Sequence, residues 1–242
     1  MPHHERAAAA SADQPLSKRM FGGSAAIHRR AERRPFMVVY FKAQLPKEAY
    51  AEYLGRLSFI YEALEEADEA LKDDPTVGRM YSPELHRRDA IAADMEYLAG
   101  ANWGDYVAYS PSTKAYVERI RAVAEEFPPG FVAHQWLRYL GNVLAQPVLQ
   151  KIMKRAYGLE GDGTRFARYP EIADPRAYLG EYHARMNAMP LDDASVGRVV
   201  DEANLAWQHQ IDFTDELADD FGITATEEEA EELMAELAAE HP

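Results

Sequence analysis

The stretch Phe131-Val132-Ala133-His134-Gln135-Trp136-Leu137-Arg138-Tyr139-Leu140-Gly141-Asn142-Val143-Leu144-Ala145-Gln146-Pro147 decides how this chain folds. Apolar residues recur in it at helical spacing, which predicts one long helix from Phe131 to about Tyr157. Gly141 and Pro147 interrupt that helix. Glycine leaves backbone bare for close approach, while Pro147 lacks an N–H and crowds the carbonyl of Val143, which predicts a kink there. A kinked helix with bare backbone suits lying flat over a large planar ligand. An ordinary core helix bent around its neighbours has the same signature.

Outward from this stretch, nearly every segment is helical. Downstream, Gly158 to Gly163 is a loop and helices follow at roughly 173–188 and 192–220. Upstream, Pro46 to Leu71 places Ala49, Tyr53, Leu57, Ile60, Tyr61 and Leu64 on one face, with Pro46 suited to a first turn. Ser82-Pro83-Glu84 has the form of an N-cap with proline at the first position, opening a helix to about Leu98. Gly100 to Pro111 is an aromatic loop, and Ser112 opens a helix that stops before Pro128-Pro129-Gly130. No period-2 alternation, internal repeat or Gly/Ser linker competes. The expectation is an all-α chain with a single domain over 16–222, a flexible N-terminal arm over 1–15, and an acidic C-terminal helix or tail over 223–242. In that tail Leu233, Met234 and Leu237 form a narrow packing stripe.

Charge and composition narrow the function. Asp and Glu number 41 against 26 Lys and Arg, a net charge of −15, which disfavours nucleic acid and anionic lipid as partners. There is no cysteine, so disulfides, thiolate catalysis and Cys-based metal sites are excluded, and a reducing, cytoplasmic location fits. No segment approaches the roughly 18 apolar residues of a membrane span, and the first residues lack the apolar core of a signal peptide.

His28 is the first candidate for chemistry. It lies in Ser24-Ala25-Ala26-Ile27-His28-Arg29-Arg30-Ala31-Glu32, among small residues, with Glu32 four positions on and on the same helix face. A neutral imidazole ligates iron through one nitrogen while a carboxylate holds its other N–H. A surface or capping histidine beside a glutamate is the plainer alternative.

Taken together these features resemble the heme oxygenase family. His28-Arg29-Arg30-Ala31-Glu32 resembles its proximal-helix motif H-x-x-A-E. Tyr61 to Glu66 resembles its Y-x-x-L-E-E segment, and Pro83-Glu84-Leu85-His86-Arg87 its P-E-L-x-R segment. Val132-Ala133-His134 with Arg138-Tyr139-Leu140-Gly141 is similar to its distal-helix entry, and Tyr182, Arg185, Met186 and Asn187 to its Y-x-x-R-M-N motif. The resemblance covers about residues 16–222. It implies a helical fold holding heme, both cofactor and substrate, between a proximal and a kinked distal helix, with His28 as the metal ligand and Glu32 beside it. It also implies that O2 and electrons open the ring to biliverdin, CO and Fe(II). Tyr61, Arg138 and Gly141 then belong to the distal hydrogen-bond network, and Tyr139 to the wall around the ring edge.

The distal motif departs from the family. Where the family continues D-L-S-G-G-Q, this chain has Asn142-Val143-Leu144-Ala145-Gln146-Pro147. Asn142 replaces a catalytic Asp; it holds water but has no charge or titratable proton. Ala145 and Gln146 replace two glycines that let backbone approach the heme, and Gln146 is expected either to aim its amide at the iron-bound ligand or to face solvent. At the family's basic propionate anchors stand Phe21, Ala25, Leu179 and His183, of which only His183 can be cationic. Lys18, Arg19, Arg29 and Arg185 are nearby substitutes, or ordinary solvated charges. Trp207 and Gln210 fall where the family packs Phe and Asn beside the heme.

These changes leave alternatives: a working heme oxygenase, a heme-binding or heme-sensing relative with lost or peroxidase-like activity, or a di-iron use of the scaffold built from Glu65, Glu66, Asp94, His134 and His209. No flavin, Rossmann or Fe–S motif is present, so a ferredoxin or reductase is the expected electron donor. Its expected docking face is Lys151, Lys154 and Arg155, together with Lys42.

Overall fold

The computed structural model describes residues 14–240, with side chains to residue 236. The arm expected over 1–15 therefore lies outside the described residues except for its last two, and so does the side chain of Leu237. Among the described residues every regular element is helical, with ten α-helices in all. They are α1 (Leu16–Glu32), α2 (Pro35–Phe41), α3 (Lys47–Leu71), α4 (Arg88–Ala99), α5 (Pro111–Glu126), α6 (Pro128–Gln135), α7 (Gly141–Tyr157), α8 (Pro175–Asn187), α9 (Asp193–Phe221) and α10 (Glu227–Glu240).

The core is one continuous cluster drawn from α1 through α9, so the fold is a single all-α domain. Helix α3 runs through it with Tyr50, Tyr53, Leu54, Leu57, Ile60, Tyr61 and Leu64 buried at helical spacing. Helix α9 buries Val199, Ala203, Ala206, Gln210, Phe213 and Leu217. Asp192 starts α9 by accepting the Ser195 N–H at 2.8 Å, and Gly222, at φ 61°, ends it. Helix α1 lies close against α9: a Cβ added at Gly23 would sit 2.4 Å from the Val200 side chain. Beyond α9, α10 returns Ala230 and Leu233 onto Val38 and Phe41 of α2.

Three boundaries differ from expectation. Pro83–Leu85 forms only a 3₁₀ turn, and α4 opens at Arg88. The reason lies in α3, where Glu65 accepts the Arg87 and Arg88 N–H groups at 2.6 and 2.8 Å and so caps α4 at that point. Ser110 rather than Ser112 caps α5, accepting the Thr113 N–H. The third difference matters most: the helix expected from Phe131 to Tyr157 is present and runs without a gap from Pro128, but as α6, a π-helical turn over Trp136–Leu140, and α7. The turn precedes Gly141, and Pro147 sits inside α7. Tyr61 of α3 donates its hydroxyl to the Arg138 carbonyl at 3.0 Å, holding a backbone group of the turn from outside the helix.

Candidate active site

Between α1 and α7 lies a cleft of about 290 Å³. Helix α1 contributes His28, Ala31 and Glu32, and α9 backs them with Trp207 and Gln210. The opposite wall is Leu137, Arg138, Gly141, Asn142, Ala145 and Leu149. Met37, Tyr40 and Phe41 of α2, Tyr53 of α3 and Phe166 close the remaining sides. Apolar lining with a few convergent polar groups suits a small-molecule site.

His28 stands half-buried near the end of α1. Its ring stacks on Trp207 with centroids 4.2 Å apart, and Nε2 lies 3.2 Å from Glu32 Oε1. Stacking on Trp207 and the Glu32 carboxylate at the ring edge together hold the imidazole. Trp207 Nε1 is buried without a partner.

The opposite wall carries a chain of hydrogen bonds. The Tyr61 proton is committed to the Arg138 carbonyl, so Tyr61 Oη is left to accept. Asn142 Nδ2 donates to it at 3.2 Å, which fixes the amide's orientation and leaves Oδ1 as an acceptor. Arg138 is buried; its Nη1 donates to Gln210 Oε1, and its guanidinium lies 5.4 Å from the Tyr61 ring centroid. Burial disfavours the charge on Arg138, but the hydroxyls of Tyr61, Tyr116 and Tyr53 outweigh it and raise its pKa. Burial likewise raises Tyr61, keeping it a neutral phenol. Arg138 Nε has no partner. A Cβ added at Gly141 would meet nothing within 4 Å, so bare backbone faces open space there.

The cleft thus brings together His28, Glu32, Arg138, Gly141, Asn142, Ala145, Trp207 and Gln210. Other expected site residues stand elsewhere. Tyr61 and Tyr139 lie behind the wall, with ring centroids 5.5 Å apart. Gln146 does not aim its amide into the cleft: Nε2 donates to the Val143 carbonyl at 3.1 Å and Oε1 accepts the Tyr169 N–H at 3.0 Å. Phe21 is exposed and, with Lys18 and His183, borders a separate hollow. His183 Nε2 accepts from Trp136 Nε1 at 3.4 Å, and partial burial lowers its pKa, so it is not a standing cation at neutral pH. Of the substitutes, Arg19 is paired with Asp193 at 3.0 Å and Arg185 donates to Ser82 Oγ at 3.1 Å, whereas Lys18 borders the hollow.

Sequence reasoning missed the contributions of Met37, Phe41 and Phe166. The signal for the first two was the run Pro35-Phe36-Met37-Val38-Val39-Tyr40-Phe41, proline followed by apolar residues. Of the residues considered for di-iron chemistry, Glu65 caps α4, and Asp94 accepts the Arg165 and Phe166 N–H groups at 2.9 and 2.8 Å. Among the described residues no group of three His, Asp or Glu is placed to hold a metal.

In this all-α domain a histidine stacked on an indole faces bare backbone and a polar amide across an apolar slot. The heme oxygenase family model matches residues 14–216, and the chain belongs to that family. It is 35% identical to Heme oxygenase 1 of Synechocystis over 202 residues, 84% of each chain. It is 37% identical to Heme oxygenase 2 of Macaca fascicularis over 220 residues, 90% of this chain and 69% of that one. The crystal structure of the Synechocystis heme oxygenase-1 in complex with heme superposes with a TM-score of 0.81 at 34% identity, covering 86% of this chain and 96% of that one. Among the described residues no helix is long and apolar enough to cross a membrane.

Proposed function

We propose that the cleft between α1 and α7 is the heme site: His28 would hold the iron, and Gly141 and Asn142 on the opposite wall would border the space open to O2. As a heme oxygenase, the protein opens heme to biliverdin, CO and Fe(II) using O2 and a reductant. The observation that carries the placement is the opposition of His28, stacked on Trp207, to the Gly141–Asn142 backbone across one slot. The residues fit such a group: one imidazole donor, apolar walls, and the unpartnered Trp207 Nε1 at the margin.

Heme supplies both the iron at which O2 is activated and the ring that is opened. The chain positions and hydrates. Glu32, 3.2 Å from His28 Nε2, steadies the imidazole ring. Tyr61 and the Arg138 carbonyl orient Asn142, whose Oδ1 accepts from a water over the ligand. Asn142 has no proton to give near neutral pH, so the water it orders delivers one. Arg138, cationic at neutral pH and fixed in place by its hydrogen bond to Gln210, favours that water's conjugate base when the proton leaves.

Electrons reach the site from a ferredoxin or reductase docked on Lys151 and Arg155, exposed near the end of α7. Lys154 is already paired with Glu160, and Lys42 lies 3.9 Å from Glu229. A cytoplasmic location, supported by the absence of cysteine, completes the proposal.

The direct test is to mix the protein with one equivalent of hemin, add ascorbate in air and record absorption spectra. A His-ligated Soret band should form and decay as a biliverdin band rises. A Soret band that forms and persists overturns ring opening in favour of heme binding alone.

A further inference from the structure

Pro147 creates a vacancy that its neighbour fills. An α-helical residue normally donates its N–H to the carbonyl four positions back; Pro147 has none, which leaves the Val143 carbonyl without its helix partner. Val143 is fully buried, where an unpaired carbonyl is costly. Gln146 Nε2 donates to that carbonyl at 3.1 Å. The other end of the same amide accepts the Tyr169 N–H at 3.0 Å, and Tyr169 is also buried. One side chain therefore serves two backbone groups on two separate segments.

Both segments reach the cleft. Asn142 and Ala145, on either side of Val143, line its α7 wall, and Phe166 closes another side from the 3₁₀ turn Arg165–Ala167 just before Tyr169. The Tyr169 segment is itself anchored: the Arg87 guanidinium lies 4.1 Å from the Tyr169 ring centroid and donates to the Arg168 carbonyl. The Gln146 bridge therefore ties α7 to a fixed point.

We infer that Gln146 is a positioning residue: it replaces the helix bond that Pro147 removes and, through Tyr169, sets where the Asn142 amide stands in the cleft. The sequence places Gln146 and Pro147 where the family has other residues, so the two act as a unit peculiar to this wall. The catalytic part of the inference rests on the cleft being the heme site; the bridge does not.

The test uses Gln146→Leu, which removes both bonds, Gln146→Glu, which keeps an acceptor for Tyr169, and Pro147→Ala, which returns a donor to Val143. In the heme-free protein, amide hydrogen exchange at Tyr169 should quicken about tenfold in Gln146→Leu and stay slow in Gln146→Glu. With hemin, Gln146→Leu should lower kcat about tenfold and change the ratio of biliverdin isomers, with the hemin Kd within about twofold, because His28 is untouched. Adding Pro147→Ala to Gln146→Leu should recover part of the lost Tm. Unchanged Tyr169 exchange in Gln146→Leu overturns the bridge. Quickened exchange with wild-type kcat and isomer ratio overturns the positioning role. A wild type that cannot open hemin brings down the functional reading and the positioning role together, while the exchange result still decides the bridge. If Gln146→Leu does not fold, Gln146→Glu carries the kinetic test: it should lower kcat through Val143 alone, and a wild-type kcat overturns the role.

Discussion

The two walls of the cleft are built by different means. The α1 wall is a plain helix with small residues, one imidazole, one carboxylate and a stacked indole. Everything it needs follows from i, i+4 spacing and close packing on α9. The α7 wall is an interrupted helix with a π-turn, an internal proline and a buried arginine, and its backbone groups are satisfied by Tyr61 and Gln146 from outside the regular ladder. A wall that only holds a ligand in place can be regular. A wall that must present backbone, amide and water to the same ligand departs from regular geometry, and substitute hydrogen bonds hold the departure in place.

The sharpest way to break this contrast is His28→Ala. With a single donor on its wall, the protein should lose the His-ligated hemin spectrum altogether, and biliverdin formation with it. A variant whose spectrum matches wild type would show that the α1 wall does not supply the ligand.

Asn142→Asp acts on the other wall. A carboxylate beside Tyr61 and a cleft water accepts more strongly than an amide and adds a proton-exchanging group, so biliverdin output should rise, by about tenfold or more. Equal output from mutant and wild type would mean that the wall's geometry, set at Ala145 and Gln146, limits the reaction rather than its chemistry.

The contrast also explains what the sequence made legible. His28 and Glu32 share a face by spacing alone, so the α1 wall could be drawn before any coordinates. The long helices α3 and α9 followed from their periodicity, and the family motifs supplied the order of the rest. The π-turn in the distal helix was not read from the sequence. Local chemistry pointed to Pro147, whereas the π-turn lies at Trp136–Leu140, where Tyr61, 77 residues away in the chain, holds a carbonyl. The fate of Gln146 was hidden for the same reason: its second partner, Tyr169, is 23 residues on. Phe166 entered the cleft unannounced because a 3₁₀ turn of three residues leaves no periodic trace.

Charge reversal at the end of α7 sharpens the comparison further, since only this wall's helix continues to the proposed docking face. Lys151→Glu should raise the KM for the reductase several-fold, and Lys154→Glu less, because Lys154 is already paired with Glu160. Ascorbate-driven turnover should not change in either. Reductase kinetics indifferent to both substitutions would place the donor elsewhere.

The smallest effect on activity is expected where the two walls share support. Helix α9 carries Trp207 behind His28 and Gln210 against Arg138, and it is tied to α6, just before the π-turn, by Glu202. That carboxylate meets buried His134 Nε2 at 2.8 Å and Arg119 Nε at 2.8 Å. Burial raises the Glu202 pKa, but hydrogen bonds from His134 and Arg119 outweigh it and hold the group at about 2, against 4.5 ordinarily. A pKa depressed in the folded state stabilises fully above about 4.5 and is lost as pH falls toward about 2. The shift corresponds to about 3 kcal/mol. Burial also lowers the His134 pKa, so protonating that ring adds to the loss below its ordinary 6.5. Glu202→Gln should therefore lower stability at neutral pH by about 3 kcal/mol and flatten the fall in stability between about pH 4.5 and 2. Below its Tm the variant should turn over hemin at close to the wild-type rate, because neither His28 nor Asn142 touches Glu202. Urea titrations at a series of pH values measure the first two effects. If the variant keeps the wild-type acid slope, the acid-labile support lies outside the α6–α9 tie. If its stability holds but its turnover collapses, Glu202 acts on the distal wall itself and the two walls are not independent.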